Sequence, residues 1–543
     1  MKYFATLFCA LLLSSCATTP RPAAPVLANA PPLFDFDDIG HTTFPVTTNS
    51  PAAQRYFEQG VSLLHDFWYY EALRSFRHAA ALDSTCAMAW WGIYQTPRGG
   101  RALKREALRK ARRYAAQSTD REARYIRATT ALDSLGRRAY IDEMQELIAR
   151  YPDDVEAKVF FARYLQRGYN PNTPRENEPD PVELLDPLLQ SHPNHVGVHH
   201  YYIHLIEPGS HPQRAINSAH KIAALAPASG HIVHMPGHIY YLTGDYENAR
   251  TSFLASHRAD STYIATYNVH STNYWNYVHN LSYMVANSAE DGRYRDGLHW
   301  ATQLERVPLS RNRTIIFYQG RLARARLQIR YGFWAEAEQS TEALVQNDTL
   351  KNTFARSYAL GLQFYARGMG AIERGHDAEA EANLKKIKDM SWSFLFGGGQ
   401  RKDPYYARRR VHYLDVLAYD LDAHLLSLRG DREGALSRID DVRRAAAKLP
   451  YEEPPEIVRP IDESEGQVRL RLGDWQGARD AFLQALGKRP QSGHILWGLA
   501  QAYAMGNEEQ DLVRSYEQLL RAWPHADTEL MPIREAREQL QKR

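Results

Sequence analysis

Cysteine is nearly absent from this 543-residue chain: it occurs only as Cys9, Cys16 and Cys86. No disulfide framework can therefore staple the fold. Excess charge is missing too. Sixty-six Lys and Arg face 63 Asp and Glu, a formal +3, which argues against a nucleic-acid partner held by a broad field. The one glycine run, Phe396-Gly-Gly-Gly-Gln400, is not followed by Gly-Lys-Ser/Thr and reads as a loop, not a phosphate cradle. No nucleophile triad, paired-carboxylate motif or H-E-x-x-H helix is present, so binding is favoured over catalysis. The sequence does not name a reaction.

Histidine and aromatic residues are abundant, with 22 His, 33 Tyr and 10 Trp. Fourteen of the histidines fall between 192 and 299, a density that isolated core histidines would not produce. Among them one pattern occurs twice, 34 residues apart: His200-Tyr-Tyr-Ile-His204 and His234-Met-Pro-Gly-His238. Pro193 recurs as Pro227 and Ala215 as Ala249 at the same offset. That interval is the period of the tetratricopeptide repeat, a helix-turn-helix unit that buries its apolar face only by stacking on neighbours.

A second pattern supports the repeat. Gly60, Ala72 and Phe76 are spaced G-x11-A-x3-F, and the spacing returns at Gly237, Ala249, Phe253 and at Gly466, Ala478, Phe482. A small residue lets two helices approach and an aromatic fills the space beyond it. Gly244-Asp245, Gly332-Phe333, Gly375-His376 and Gly473-Asp474 mark turns between helices. The fold expected is an all-α, right-handed solenoid of tetratricopeptide-type repeats. Residues 51–310 would form an N-terminal array with the histidine-rich groove, and 311–543 a second array. Helices are predicted near 120–134, 137–151, 153–168 and 180–191. The basic stretch 95–119 reads as a loop and then a solvated helix, and Arg408-Arg-Arg410 as a solvated face.

The N-terminus reads Met1-Lys2, an apolar run Tyr3–Leu13, then Leu13-Ser-Ser-Cys16. This is a secretion signal, too short to span a membrane. Leu-Ser-Ser-Cys resembles the bacterial lipobox, which implies cleavage before Cys16, acylation of that Cys and, with Ala17 after it, an outer-membrane anchor facing the periplasm. Residues 1–16 would then be the signal and 17–50, rich in Pro, Ala and Thr, a disordered tether. Cys86, in a helical run, reads as a packed small hydrophobe.

Further stretches, Phe44-Pro45-Val46, Ala53 to Phe57, Gly60 to His65 with Phe67-Trp68, Cys86 to Gly92, Val278-His279-Asn280 and Glu453-Pro-Pro455, look like a family of histidine-rich bacterial tetratricopeptide lipoproteins. The family is largely uncharacterised, so the resemblance implies a fold and a histidine pattern but no reaction. It places His65, His200, His204, Glu207, His231, His234, His238 and Tyr241 on a concave groove for a protein or peptide partner; His279 belongs to a later helix. His192, His195, His211 and His220 read as surface residues. The competing reading is a metal site. Residues i and i+4 share a helix face, so His200, His204, His234 and His238 on adjacent repeats could converge on one divalent transition metal such as zinc or copper. With four imidazoles no coordination position would be open; with three, Glu207 could act as a base.

Overall fold

A computed structural model describes residues 36–308, 314–346, 353–396 and 404–542. Cys16, the signal, the first part of the tether and the glycine run at 397–399 lie outside the described residues. Among those described there are twenty-five α-helices and no strand, and helices adjacent in sequence pack as antiparallel hairpins. The four helices predicted between 120 and 191 are present as Asp120–Leu135, Arg137–Arg150, Val155–Leu165 and Pro181–Ser191, and the basic stretch is the helix Gly100–Tyr114.

The recurring Gly and Phe explain the stacking. A Cβ on Gly60 would lie 2.7 Å from the Phe76 ring, and one on Gly92, in the next hairpin, 2.4 Å from the same ring. Phe482 is clasped in the same way, 2.6 Å from a Cβ on Gly466 and 2.5 Å from one on Gly498. One fully buried ring thus keys two successive units. A methyl at any of these glycines would overpack the contact, at a cost of about 1–3 kcal/mol. The turns behave as their sequence suggests: Gly244 and Gly473 take φ of 82° and 75°, and Asp245 and Asp474 then cap the following helices.

Residues 35–543 form one compact unit, so the boundary expected near 310 does not divide the structure. The reason is that the array turns back on itself. Tyr246 Oη donates to Pro490 O at 3.1 Å, Trp523 Nε1 to Glu290 O at 2.6 Å and Asp527 N to Gly292 O at 3.0 Å. The C-terminal hairpins therefore seat on the end of the helix Trp275–Glu290. At that junction Arg330, Glu290, Glu463, Arg489 and Ser492 form a buried ionic network.

Two further expectations are corrected. The tether does not extend to residue 50: Phe44 is fully buried against Phe57, Trp91 and Tyr125, and Thr47 N donates to Glu122 Oε1 at 2.7 Å. The Pro-rich composition hid an apolar anchor. Arg409 and Arg410 are buried, not solvated; Arg409 pairs with Glu452 at 2.7 Å and Glu456 at 2.9 Å. These pairs pin an irregular strap, residues 447–460, which crosses the histidine-rich wall.

Candidate metal centre

Three helices build the centre: Val196–Ile206 with His200 and His204, Gly230–Thr243 with His231, His234 and His238, and Trp275–Glu290 with Asn276, His279 and Asn280. Ser229 and His195 cap the first two, so helical geometry starts just before the first ligands. The strap adds Glu453, whose carboxyl oxygens lie 3.8 Å from His204 Nδ1 and 3.7 Å from His238 Nδ1.

The four histidines expected at one point divide between two groups. His200, His204 and His231 form one, and His234, His238 and His279 the other; within each group one ring nitrogen per residue lies within 4.8 Å of the others. The physical reason is an axial offset. Residues facing each other across the two helices differ by 31 positions, as His200 does from His231 and Glu207 from His238, not by the 34 of the sequence repeat. Neighbouring helices are slid by about one turn, which brings His231 opposite His200.

The ring protons can be placed from the partners of Nδ1. His200 Nδ1 faces the carbonyl of His65 at 2.5 Å, which can only accept. His234 Nδ1 faces Asn280 Oδ1 at 2.7 Å; the amide of Asn280 is oriented by donating to Phe253 O at 2.9 Å. His231 Nδ1 donates to Asn276 Oδ1 at 2.9 Å, and Asn276 donates in turn to Asp260. His204 and His238 both donate from Nδ1 to Glu207, each at 2.5 Å. Each of these five Nδ1 atoms therefore carries its proton, and each Nε2 a lone pair. Ligating histidines are commonly held by carbonyl, amide or carboxylate acceptors of this kind.

The bare nitrogens face one another. His200 Nε2 is 3.0 Å from His231 Nε2, and His234 Nε2 is 2.8 Å from His238 Nε2. His204 Nε2 and His279 Nε2, the third members of the two groups, are buried without any partner. Protons do not resolve this at neutral pH, because burial, followed by the mutual repulsion of the rings, holds His200, His231 and His234 well below the ordinary imidazole range. Burial would push Glu207 up, but His238 and His204 outweigh it and keep it ionised. Burial and the neighbouring Glu207 drive Glu453 well above the usual carboxylate range.

A further group shows what a satisfied arrangement looks like. His65 and His195 donate from Nε2 to the two oxygens of Glu156 at 2.8 and 2.9 Å, while their Nδ1 atoms accept from Tyr201 Oη and Val198 N. Every donor meets an acceptor there, so the group needs no ion. His195 is thus a cap and a half-buried partner of Glu156, not the surface residue expected; His192, His211 and His220 are exposed as read. Cys86 is buried with its thiol pushed up to about 11 by desolvation, in keeping with a packing role.

All eight residues assigned to the groove are at most 7% exposed. Seven line this interior wall, while Tyr241 packs on Tyr246 and Tyr283 beside the ionic junction. Sequence reasoning missed Asn276, Asn280, Glu156 and the role of Glu453; it noted His279 only as a residue of a later helix. The signal available for the asparagines was their spacing, with His279 and Asn280 three and four residues after Asn276 on one helix.

No family model and no curated protein matches this chain. Solved structures aligned with it include the crystal structure of yeast Tom70 (12% identity, 90% of this chain and 96% of that one, TM-score 0.31). Others are the tetratricopeptide domain of P58(IPK) (13%, 90% and 98%, 0.22) and the Cut9-Hcn1 hetero-tetramer of APC/C (12%, 89% and 90%, 0.28). Scores this low do not measure a shared course of the chain, and the all-α solenoid of helix hairpins described above rests on the helices themselves.

Proposed function

We propose that this protein is a metalloprotein whose interior holds two divalent first-row metal ions, zinc or copper, one at each three-histidine group. The observation carrying this reading is the two pairs of opposed, bare Nε2 atoms, at 3.0 and 2.8 Å. Lone pairs repel at that distance unless a cation lies between them. Two nitrogens bound at about 2.0–2.1 Å stand about 2.9 Å apart at the roughly 90° of a tetragonal copper site and about 3.3–3.4 Å apart at the tetrahedral angle of zinc, so the two separations lie nearer the copper geometry. Neutral imidazole suits zinc and copper rather than magnesium or calcium. Three protein ligands per ion leave the open position that catalytic sites keep and closed structural sites lack. Elemental analysis of the whole protein purified without chelator should return about two equivalents; less than about a tenth of an equivalent would remove the reading.

A second reading, a scaffold that grips a protein or peptide partner, draws support from a separate cavity of about 950 Å³ in the C-terminal array. Trp334, Trp497 and Phe333 wall it, and Arg459, stacked on Trp334 at 5.3 Å, and Arg471 border it. A pull-down from envelope extracts should lose its partner in the Arg459→Gln, Arg471→Gln double variant; an unchanged set of captured proteins would count against this surface. In either reading the chain is held at the outer membrane, facing the periplasm, by an acyl group on Cys16. Labelled palmitate should enter the protein and be lost in Cys16→Ser; equal labelling of both would refute the anchor.

A further inference from the structure

A cavity of about 670 Å³ lies beside the first histidine group, with aromatic rings in its wall, among them Tyr69, Trp91, Tyr140 and Phe160. Three cations also line it, the exposed Arg167 and the half-buried Arg163 and Lys104. Among the described residues no carboxylate lies within ion-pair distance of Arg163 or Lys104, and their mutual repulsion, with burial the larger cause, pulls Lys104 below its ordinary range. Arg163 lies over the Phe67 ring at 5.9 Å and meets the Tyr69 hydroxyl. An Arg and a Lys facing a cavity with no counter-ion make a place for an anion, and a guanidinium pairs best with a planar carboxylate.

Phe67 lies between this cavity and the first histidine group. Its ring lines the cavity and stacks on His231 at 5.3 Å and His204 at 5.7 Å, with His200 edge-on at 4.5 Å. Its backbone has φ of 55°, a left-handed conformation that is costly for a bulky residue. The turn after the helix Pro51–His65 and the Trp275 Nε1 bond to Phe67 O, at 3.2 Å, hold it there. Strain of this kind persists where surrounding structure imposes it, and it clusters at ligand sites.

We propose that this cavity is the substrate pocket of the metal centre and takes an aromatic carboxylate, its anionic group on Arg163 and Lys104, its ring among the tyrosines and Trp91, with Phe67 as the wall toward the ions. The volume falls in the range of small-molecule sites. The link to the ions rests on the metal reading above; the pocket's ligand class does not.

The probe is 2-naphthoate, titrated calorimetrically into the whole protein, both metal-loaded and chelator-treated, with naphthalene-2-methanol as the neutral control and phenyl phosphate as the second anion. Naphthoate should bind at least tenfold more tightly than the alcohol and more tightly than the phosphate. Arg163→Gln should weaken it tenfold or more, and Lys104→Gln, nearer the surface, should weaken it in the same direction. Phe67→Ala should change naphthoate affinity by a different factor in the loaded and the chelated protein, since only there does the ligand reach the ions. Equal binding of acid and alcohol, or no effect of either charge substitution on a folded protein, overturns the ligand class. Tighter phosphate than naphthoate binding overturns the choice of carboxylate. An identical Phe67→Ala factor in both forms overturns the role of Phe67 as the wall toward the ions. Naphthoate binding by a protein that takes up no metal leaves the pocket and removes the metal reading.

Discussion

His279→Ala should bind one equivalent of metal where the unaltered protein binds two. His279 belongs to only one of the two histidine groups, and its buried Nε2 has no partner in the protein. Removing it leaves His234 and His238 as two ligands, while His200, His204 and His231 keep all three. Glu207→Gln should behave differently. Glu207 accepts from His204 in one group and from His238 in the other, so its loss should weaken both ions together. Losing a carboxylate that orients a ligand typically costs about 10–100-fold in affinity. Zinc titration against a competing chelator, with elemental analysis of each variant, separates the patterns. Loss of both ions in His279→Ala would mean that the groups form a single site. Metal also stabilises the folded state in proportion to its binding, by about 4 kcal/mol at a thousandfold excess over Kd. The unaltered protein should therefore melt at a distinctly higher temperature with metal than after chelation.

Arg330→Ala should produce the largest loss of stability. Its guanidinium spans Glu290 at 2.8 and 3.1 Å and Glu463 at 2.6 Å, with all three side chains at most 2% exposed. Glu290 also accepts from Arg489 at 2.7 Å and Ser492 at 2.8 Å, so one carboxylate ties three chain segments together. Breaking a buried pair strands the other charge, at about 3–5 kcal/mol. Arg330→Lys keeps the charge but cannot span both carboxylates, and should recover only part of the loss. The pH dependence has a definite sign. Burial would raise Glu290, but Arg330 and Arg489 prevail and hold it well below its ordinary value of 4.5. Stability from its ionised form is therefore present above about pH 4.5 and is lost as the pH falls through the folded-state value. Urea denaturation of the parent and both variants between pH 7 and pH 3 tests this; parallel curves would assign the effect to other groups.

The hairpin architecture was legible because its cause is local. Gly60, Ala72 and Phe76 advertise a close approach by size alone, and the Phe76 ring indeed sits against Gly60 and Gly92. The histidines were legible as ligands on shared helix faces, but their grouping was not. A repeat of 34 residues gives the order of units along the chain, whereas the axial slide of packed helices gives which residues meet. That slide pairs His200 with His231. Glu453 and Arg409 were illegible for another reason: Glu453 on the strap meets His204 and His238, more than 200 residues distant in sequence, Arg409 pairs with the strap at Glu452 and Glu456, and no periodicity reports such contacts. The burial of Arg409 follows from that same strap. Phe44 was hidden by its surroundings, since a Pro- and Thr-rich stretch reads as a tether even when one ring in it is an anchor.

X-ray absorption at the metal edge of the reconstituted protein tests the central claim most directly. The account predicts two ions per chain, each with three imidazole nitrogens at about 2.0–2.1 Å. A first shell of oxygen without imidazole scattering, or reconstituted protein that retains less than about a tenth of an equivalent after dialysis, would contradict it.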